Sequence, residues 1–158
     1  MSSPTEVLND VQSRALDREL TNREKTRVVV QVDHGSVAVG ANLVASTLAD
    51  TLPESAYLVV AGSDGASFEA PKILVTSPEG QRSVHTNVSS DFAGKLAGNL
   101  DMRSEHDQSF FDSQKRVALD LAGEISSTVV DDYLVNNGYS GLAKALTMSP
   151  ADVIEQVK

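Results

Sequence analysis

An aspartate and a histidine, Asp33 and His34, follow a short β-branched run and form the most enzyme-like pair in this sequence. A histidine beside a carboxylate can act as a general base, and ligands of open α/β sheets bind where strands end. No activated nucleophile or third orienting group accompanies the pair. We therefore interpret His34 as a histidine of a solvent-exposed turn rather than as a catalytic base.

The next residues, 35–40, contain two glycines at the start of an apolar helical pattern, so their backbone N–H groups could bind an anion. They match neither the dinucleotide-binding glycine pattern nor that of the phosphate-binding P-loop. One functional hypothesis is nevertheless a small regulatory module that recognises an anionic ligand at the helix start after Ser36.

Metal and thiol chemistry find little support in the residues. The chain has no cysteine, which excludes disulfides, thiolate-bound zinc, cysteine nucleophiles and ordinary iron–sulfur ligation. His85 and His106 are isolated in the sequence, and Asp131 and Asp132 occupy adjacent helical positions whose side chains diverge. We expect no metal site and no catalytic carboxylate pair, and we interpret the chain itself as non-catalytic.

The composition excludes further classes of partner. The 158 residues include 22 Asp and Glu against 13 Lys and Arg, a formal net charge of −9, and no basic cluster stands out. Nucleic acids and anionic membranes are disfavoured because both require a basic surface. No apolar run approaches the roughly 18–20 residues that span a bilayer, and no signal-peptide pattern opens the chain. We expect a cytoplasmic protein without membrane insertion.

The first element of the chain is an N-terminal amphipathic helix. Ser3, Pro4 and Glu6 form a helix start in which the serine caps and the glutamate closes a capping box. The apolar residues that recur at helical spacing are Val7, Leu8, Val11, Ala15, Leu16 and Leu20. This stripe packs either on the following domain or on a partner, and both alternatives stay open.

An α/β domain follows the helix. The strand at 28–32 leads through a polar turn into a helix that Pro53 ends, and a nearly all-apolar strand at 56–61 is expected to be covered on both faces. A hairpin with its turn at 78–80 and a helix capped by Ser89 complete the order β-α-β-β-β-α. This is the order of a thioredoxin-like domain, which an N-terminal helix precedes and an all-helical extension follows.

The last third of the chain is helical in pattern. The predicted helices are 109–121, 129–135, 139–146 and a last one that Ser149 caps. The predicted organisation is residues 1–26 as the N-terminal helix, 27–100 as the thioredoxin-like domain, 101–108 as a polar linker and 109–158 as the helical extension.

A series of ordered segments in this region carries a family resemblance: FFDSQKRVAL at 110–119, GEI at 123–125, DYL at 132–134, GY at 138–139, LAKALTMSP at 142–150 and VIEQVK at 153–158. Together they resemble the opening segment of the flavin- and NADH-binding subunit of complex I. The soluble relatives of that subunit are the diaphorase subunits of NAD-reducing hydrogenases and NAD-dependent formate dehydrogenases. In many of them a thioredoxin-like ferredoxin domain comes first, as residues 27–98 would here.

The departures from this family determine the functional prediction. The family's thioredoxin-like domain usually holds a two-iron, two-sulfur cluster on four cysteines, two after the first strand and two in the loop after the second. By alignment those positions hold Gln31, Ser36, Ser63 and Ser67. Neutral glutamine and serine are much poorer cluster ligands than thiolates, so the resemblance implies a domain without a cluster.

The second departure concerns length. The family's glycine-rich flavin and NADH site would begin after Lys158, so this sequence is expected to bind neither FMN nor NADH. It is then either a fragment of a longer subunit or a free-standing remnant that docks onto a complex. The resemblance implies no cofactor, a role in assembly or docking, and the other subunits of an NAD(P)H-linked oxidoreductase complex as partners. The predicted interface residues are Val7, Leu8, Val11, Leu16, Phe110, Phe111, Tyr133 and Tyr139.

Overall fold

The computed structural model describes residues 2–104 and 113–158, which divide into two compact units. The larger unit spans Asn22–Ser126, and the smaller combines Met1–Thr21 with Ser127–Lys158. The N-terminal helix therefore belongs to the same unit as the last helices, a grouping that the sequence pattern does not indicate. The predicted domain boundaries themselves stay predictions.

A four-stranded mixed sheet forms the centre of the larger unit. Its strands are β1 (Thr26–Gln31), β2 (Ala56–Ala61), β3 (Ile73–Thr76) and β4 (Arg82–His85), in the order β2-β1-β3-β4. β1 runs parallel to β2 and antiparallel to β3, and β3 runs antiparallel to β4. The predicted α/β class is confirmed, and the thioredoxin-like assignment within that class stays a prediction.

β1 is a central strand whose two faces are both buried. One face carries Val28 and Val30, which belong to the same apolar cluster as Leu48. The opposite face carries Val29, which belongs to a second cluster with Ala61, Leu74 and Val84. Because successive side chains of a strand point to opposite faces, a continuous β-branched run suits a strand that is covered on both sides.

The prediction that β2 is covered on both faces is wrong. β2 lies at an edge of the sheet, and most of its side chains are only half-buried, with Val60 exposed. An unbroken apolar run does not distinguish an edge strand from a central one, because the neighbours of a strand are not encoded in the run itself.

Two helices, rather than the single predicted one, follow β1. α2 (His34–Ala38) ends at Val39, and α3 (Ala41–Thr51) begins after Gly40. Gly40 adopts a φ of 99°, a left-handed conformation that glycine takes without the usual steric penalty. The glycine therefore separates the polar first turn from the apolar helix that packs on the sheet.

Two further elements of the larger unit follow β2. A 3₁₀ turn spans Ser67–Glu69, and α4 spans Ser90–Gly98. The Ser89 hydroxyl accepts the backbone N–H of Phe92 at 3.2 Å, which confirms the predicted cap. α4 buries its Ala93, Leu96 and Ala97.

The helix predicted at 109–121 is not formed over its described part. Residues 113–121 form turns and irregular backbone instead. Val117 is 81% exposed and Leu119 is also exposed, so the apolar positions do not share a buried face that would stabilise a helix.

The described residues of the smaller unit form four helices: α1 (Pro4–Leu20), α5 (Val130–Val135), α6 (Ser140–Ala145) and α7 (Pro150–Val157). The capping box predicted at Ser3 and Glu6 is confirmed. α1 packs against α5 and α6, and the Gln12 side-chain amide donates to the Gly138 carbonyl at 3.4 Å. Among the helices that the structure describes, none is long and apolar enough to cross a bilayer.

Candidate functional site

The four positions that match the family's cluster ligands lie on different elements of the larger unit. Gln31 is the last residue of β1 and Ser36 lies in α2, and both are buried. Ser63 is half-buried in the loop after β2. Ser67 is exposed at the start of the 3₁₀ turn.

Asp33 and Asp64 connect three of these four positions. Asp33 accepts the backbone N–H of Ser36 at 2.7 Å and a hydrogen bond from the side chain of Ser63. Asp64, which follows Ser63 in the chain, accepts a hydrogen bond from the side-chain amide of Gln31 at 3.2 Å. The three positions therefore lie around the carboxyl end of β1.

A buried lysine, which the sequence analysis did not single out, occupies the same region. Lys72 Nζ lies 2.8 Å from Asp64 Oδ2 and 2.6 Å from Glu69 Oε2, and each of the three side chains is at most 8% exposed. One ammonium and two carboxylates are thus held together out of water, where each charge depends on its partners. The available signal was a lysine directly before the apolar strand β3, with acidic residues three and eight positions earlier.

Gln31 links this ion cluster to a later segment of the chain. Its Nε2 donates to the Gly123 carbonyl oxygen at 3.3 Å, and its Oε1 accepts the Asp64 backbone N–H at 3.4 Å. Within the described residues, no buried side-chain nitrogen or oxygen lacks a hydrogen-bond partner. We refer to Gln31, Asp64, Glu69 and Lys72 as the buried polar network.

Burial and hydrogen bonding act in opposite directions on Asp64. Burial raises the pKa of its carboxyl, but the Lys72 ammonium, the Ala66 N–H and the Gln31 amide stabilise the carboxylate, and the resulting pKa lies below its ordinary value of 3.8. Because the pKa is lowered on folding, the stability that Asp64 contributes is present above about pH 4 and is lost as the pH falls further.

The donors at these positions do not fit an iron–sulfur cluster, which requires soft, anionic thiolates. The Gln31 carboxamide is engaged in the buried polar network. The Ser36 hydroxyl accepts the Asp33 backbone N–H at 2.7 Å and donates to the Asp33 carbonyl at 3.1 Å. The described residues also contain no group of three or more histidine and carboxylate side chains that could hold a metal ion.

The N-terminus of α2, where the sequence raised the possibility of an anionic ligand, is capped by a carboxylate. Asp33 accepts the backbone N–H of Ser36, and this bond is the main cause that lowers the pKa of Asp33; the Gly35 N–H contributes further. An external anion would meet the negative charge of Asp33 at this position. The geometry therefore does not support an anionic ligand after Ser36.

Replacing Asp33 with alanine is expected to lower the free energy of unfolding by about 1 kcal/mol, the usual effect of removing an N-cap. Because folding lowers the pKa of Asp33, the difference between wild type and variant should be present at pH 7 and should shrink below about pH 4. Urea unfolding at both pH values measures this difference. Replacing the exposed Asp50 of α3 with alanine is the matched control. A loss that is the same at both pH values would contradict the capping role.

The two described histidines have different environments. His34 is exposed as the first residue of α2. His85 is buried, with its Nε2 3.3 Å from the Ser83 hydroxyl and its ring centroid 5.3 Å from that of Phe92. Burial lowers the pKa of His85 below 6.5, although a backbone hydrogen bond at Met102 opposes this effect. His85 is therefore a neutral residue of the interior.

The burial of His85 predicts a stability that falls in mild acid. The unfolded chain binds a proton at this histidine below about pH 6.5, whereas the folded chain resists doing so, and the free energy of unfolding should therefore decrease from pH 6.5 to 5. His85→Gln is expected to flatten this part of the profile. Denaturant unfolding at several pH values checks this, and an unaltered slope in His85→Gln would refute it.

The predicted interface residues on α1 lie on two faces. Leu8 and Val11 are half-buried on the same face as Ala15, which is buried. Val7 and Leu16 are exposed. The face of Leu8 and Val11 therefore packs within the smaller unit, while Val7 and Leu16 stay accessible.

Two other predicted interface residues contact each other. The rings of Tyr133 and Tyr139 meet edge to face, with centroids 5.0 Å apart and planes at 84°, and both remain exposed in part. Phe110 and Phe111, together with His106, lie outside the described residues. The docking role of all these residues stays a prediction.

Comparison with known proteins shows a similarity over part of the chain. No protein-family model matches the chain. Over 45 residues, 28% of the chain, it is 49% identical to the NADP-reducing hydrogenase subunit HndC of Solidesulfovibrio fructosivorans. The match spans 9% of the length of that subunit.

Proposed function

We propose that this chain is a non-catalytic accessory subunit or domain of an NAD(P)H-linked oxidoreductase complex of the diaphorase type. In this proposal its thioredoxin-like domain carries no iron–sulfur cluster and acts in assembly or subunit docking in the cytoplasm. Its partners are the other subunits of the complex.

The buried polar network is the observation that carries the proposal. It includes Gln31, one of the positions that the family resemblance matches with a cluster ligand, and it uses this side chain for internal hydrogen bonds to Asp64 and Gly123. A buried lysine with two carboxylates holds the same loop that would present the second pair of ligands. The polar side chains at this site are therefore engaged in hydrogen bonds and ion pairs within the protein, which supports a structural role.

The similarity to HndC supports the type of complex. That protein is by name a subunit of an NADP-reducing hydrogenase, and the 49% identity is high for a stretch of 45 residues. The segments at 110–158 that resemble the diaphorase family point to the same kind of assembly.

The proposal is tested by producing the tagged full chain together with the subunits of an NADP-reducing hydrogenase from the same organism as the chain. We expect stoichiometric co-elution in size-exclusion chromatography and no dye reduction by the isolated chain with NADH or NADPH. A chain that elutes alone, or that reduces the dye by itself, would contradict the proposal.

A further inference from the structure

β2 (Ala56–Ala61) is an edge strand, and β1 is its neighbour among the strands that the structure describes. At the ends of this parallel pair, the Thr26 N–H donates to the Ser55 carbonyl at 2.9 Å and the Val32 N–H donates to the Ala61 carbonyl at 2.8 Å. With the register of the pair, these bonds direct the backbone groups of the odd-numbered residues of β2 toward β1. The backbone groups of its even-numbered residues therefore point away from β1.

The outward edge of β2 presents the backbone N–H and carbonyl groups of Leu58 and Val60. Within residues 2–104 and 113–158, no backbone hydrogen bond outside the sheet involves either residue. The strand contains no charged residue and no proline, and its register with β1 is continuous, without a bulge. Charges, prolines and bulges are the usual means by which natural edge strands avoid pairing, so β2 is suited to accept another strand.

A second copy of the chain fits this edge in one antiparallel register. With a two-fold axis beside Leu58, the Leu58 N–H of each copy donates to the Leu58 carbonyl of the other. The Val60 N–H of each copy donates to the Ala56 carbonyl of the other, so the outward N–H groups of both residues are used. Because the contact is two-fold, it closes after two copies instead of continuing into a fibre.

The side chains are compatible with this register. Val60, which is 42% exposed, lies opposite Ala56 of the other copy, so a branched side chain meets a small one. Glu54, the acidic residue nearest to the strand, lies opposite Gly62. The chain carries a net charge of −9, but the register brings no like charges into contact along the strand itself.

We infer that β2 pairs with β2 of a second copy and joins the two sheets into one continuous sheet across a two-fold axis. This inference goes beyond the proposed function and does not depend on it. The strand has six residues, so the interface is small. We therefore expect a weak dimer, with a Kd of about 1–100 μM.

Sedimentation equilibrium of the full chain between about 5 and 500 μM tests for the dimer. Val60→Lys places a charge on the outward edge, and we expect the dimer Kd to rise at least about tenfold. The control Leu43→Lys makes the same change of charge at an exposed residue of α3, one turn before Thr47, whose side chain lies near Gly94 of α4. Its dimer Kd should stay within about twofold of that of the wild type.

Amide hydrogen exchange of the wild type identifies the surface without any substitution. Exchange at Leu58 and Val60 should slow at least about threefold as the protein concentration rises through the dimer Kd. The amides of residues 57 and 59 already donate to β1 within one copy, so their exchange should depend much less on concentration. This measurement decides between the outcomes even where Val60→Lys lowers the stability of the fold.

Three outcomes would overturn the inference. The first is a chain that stays monomeric at about 500 μM. The second is a dimer in which Leu58 and Val60 gain no protection, because the contact would then lie on another surface. The third is protection of these two amides only when hydrogenase subunits are added, which would assign the edge to a different chain. None of these outcomes decides the proposed function, which the co-elution experiment tests separately.

Discussion

Replacing Lys72 with methionine is expected to lower the free energy of unfolding by about 3–5 kcal/mol, because removing one partner of a buried ion cluster leaves the remaining charges uncompensated. Lys72 Nζ lies within 2.8 Å of both Asp64 and Glu69, and methionine keeps the length of the side chain without its charge. Urea unfolding at pH 7 measures the loss. The control is Lys95→Met, on the exposed side of α4, with an expected change below about 0.5 kcal/mol.

The pH dependence of this variant identifies the cause. Without the ammonium, burial favours the protonated carboxyl of Asp64, so the deficit relative to the wild type should become smaller from pH 7 to 5. The triple variant Lys72→Met/Asp64→Asn/Glu69→Gln removes all three charges and should recover part of the stability. A small loss, or one that does not depend on pH, would show that the buried polar network does not stabilise the domain.

Replacing Gly123 with alanine is expected to lower the free energy of unfolding by about 2–4 kcal/mol, through backbone strain and overlap with the buried polar network. Gly123 has a φ of 82°, and a Cβ there would overlap the Gln31 side-chain amide and lie 2.9 Å from Asp64 Cβ. The substitution therefore acts on the hydrogen bond between Gln31 and the Gly123 carbonyl. Thermal and denaturant unfolding measure its effect.

Gly80 provides the matched control for Gly123. It has nearly the same φ, 84°, but a Cβ at this position has no atom within 4 Å. Gly80→Ala should therefore lower the free energy of unfolding through backbone strain alone, by about 1–2 kcal/mol. Equal losses of stability in the two variants would mean that overlap of the new Cβ at position 123 with Gln31 and Asp64 does not contribute to the loss.

The parts of the fold that depend on local chemistry could be predicted from the sequence. The caps at Ser3, Ser89 and Ser149 are confirmed, because a cap joins a side chain to a backbone N–H only a few residues away. The strand at 56–61 has its predicted bounds, because an apolar run between turn residues is a local signal. The sequence pattern does not predict the break at Gly40, because a glycine can lie within a continuous helix or can interrupt it.

The candidate site could be predicted only in part, because its contacts join distant residues. Gln31 is 33 positions from Asp64 and 92 from Gly123. The family resemblance points to Gln31 but to neither Lys72 nor Gly123. Only the packing of the β2–β3 loop and the segment near residue 123 against the end of β1 brings these groups together.

Anaerobic reconstitution tests the central claim most directly, that the region of the expected iron–sulfur site holds a polar network in place of a cluster. The purified full chain is incubated with ferrous iron, sulfide and a reductant, desalted and assayed for bound iron and acid-labile sulfide, with a two-iron ferredoxin treated in parallel. We predict no stoichiometric iron or sulfide and an unchanged visible spectrum. Two irons and two sulfides per chain, with a paramagnetic signal on reduction, would contradict the claim.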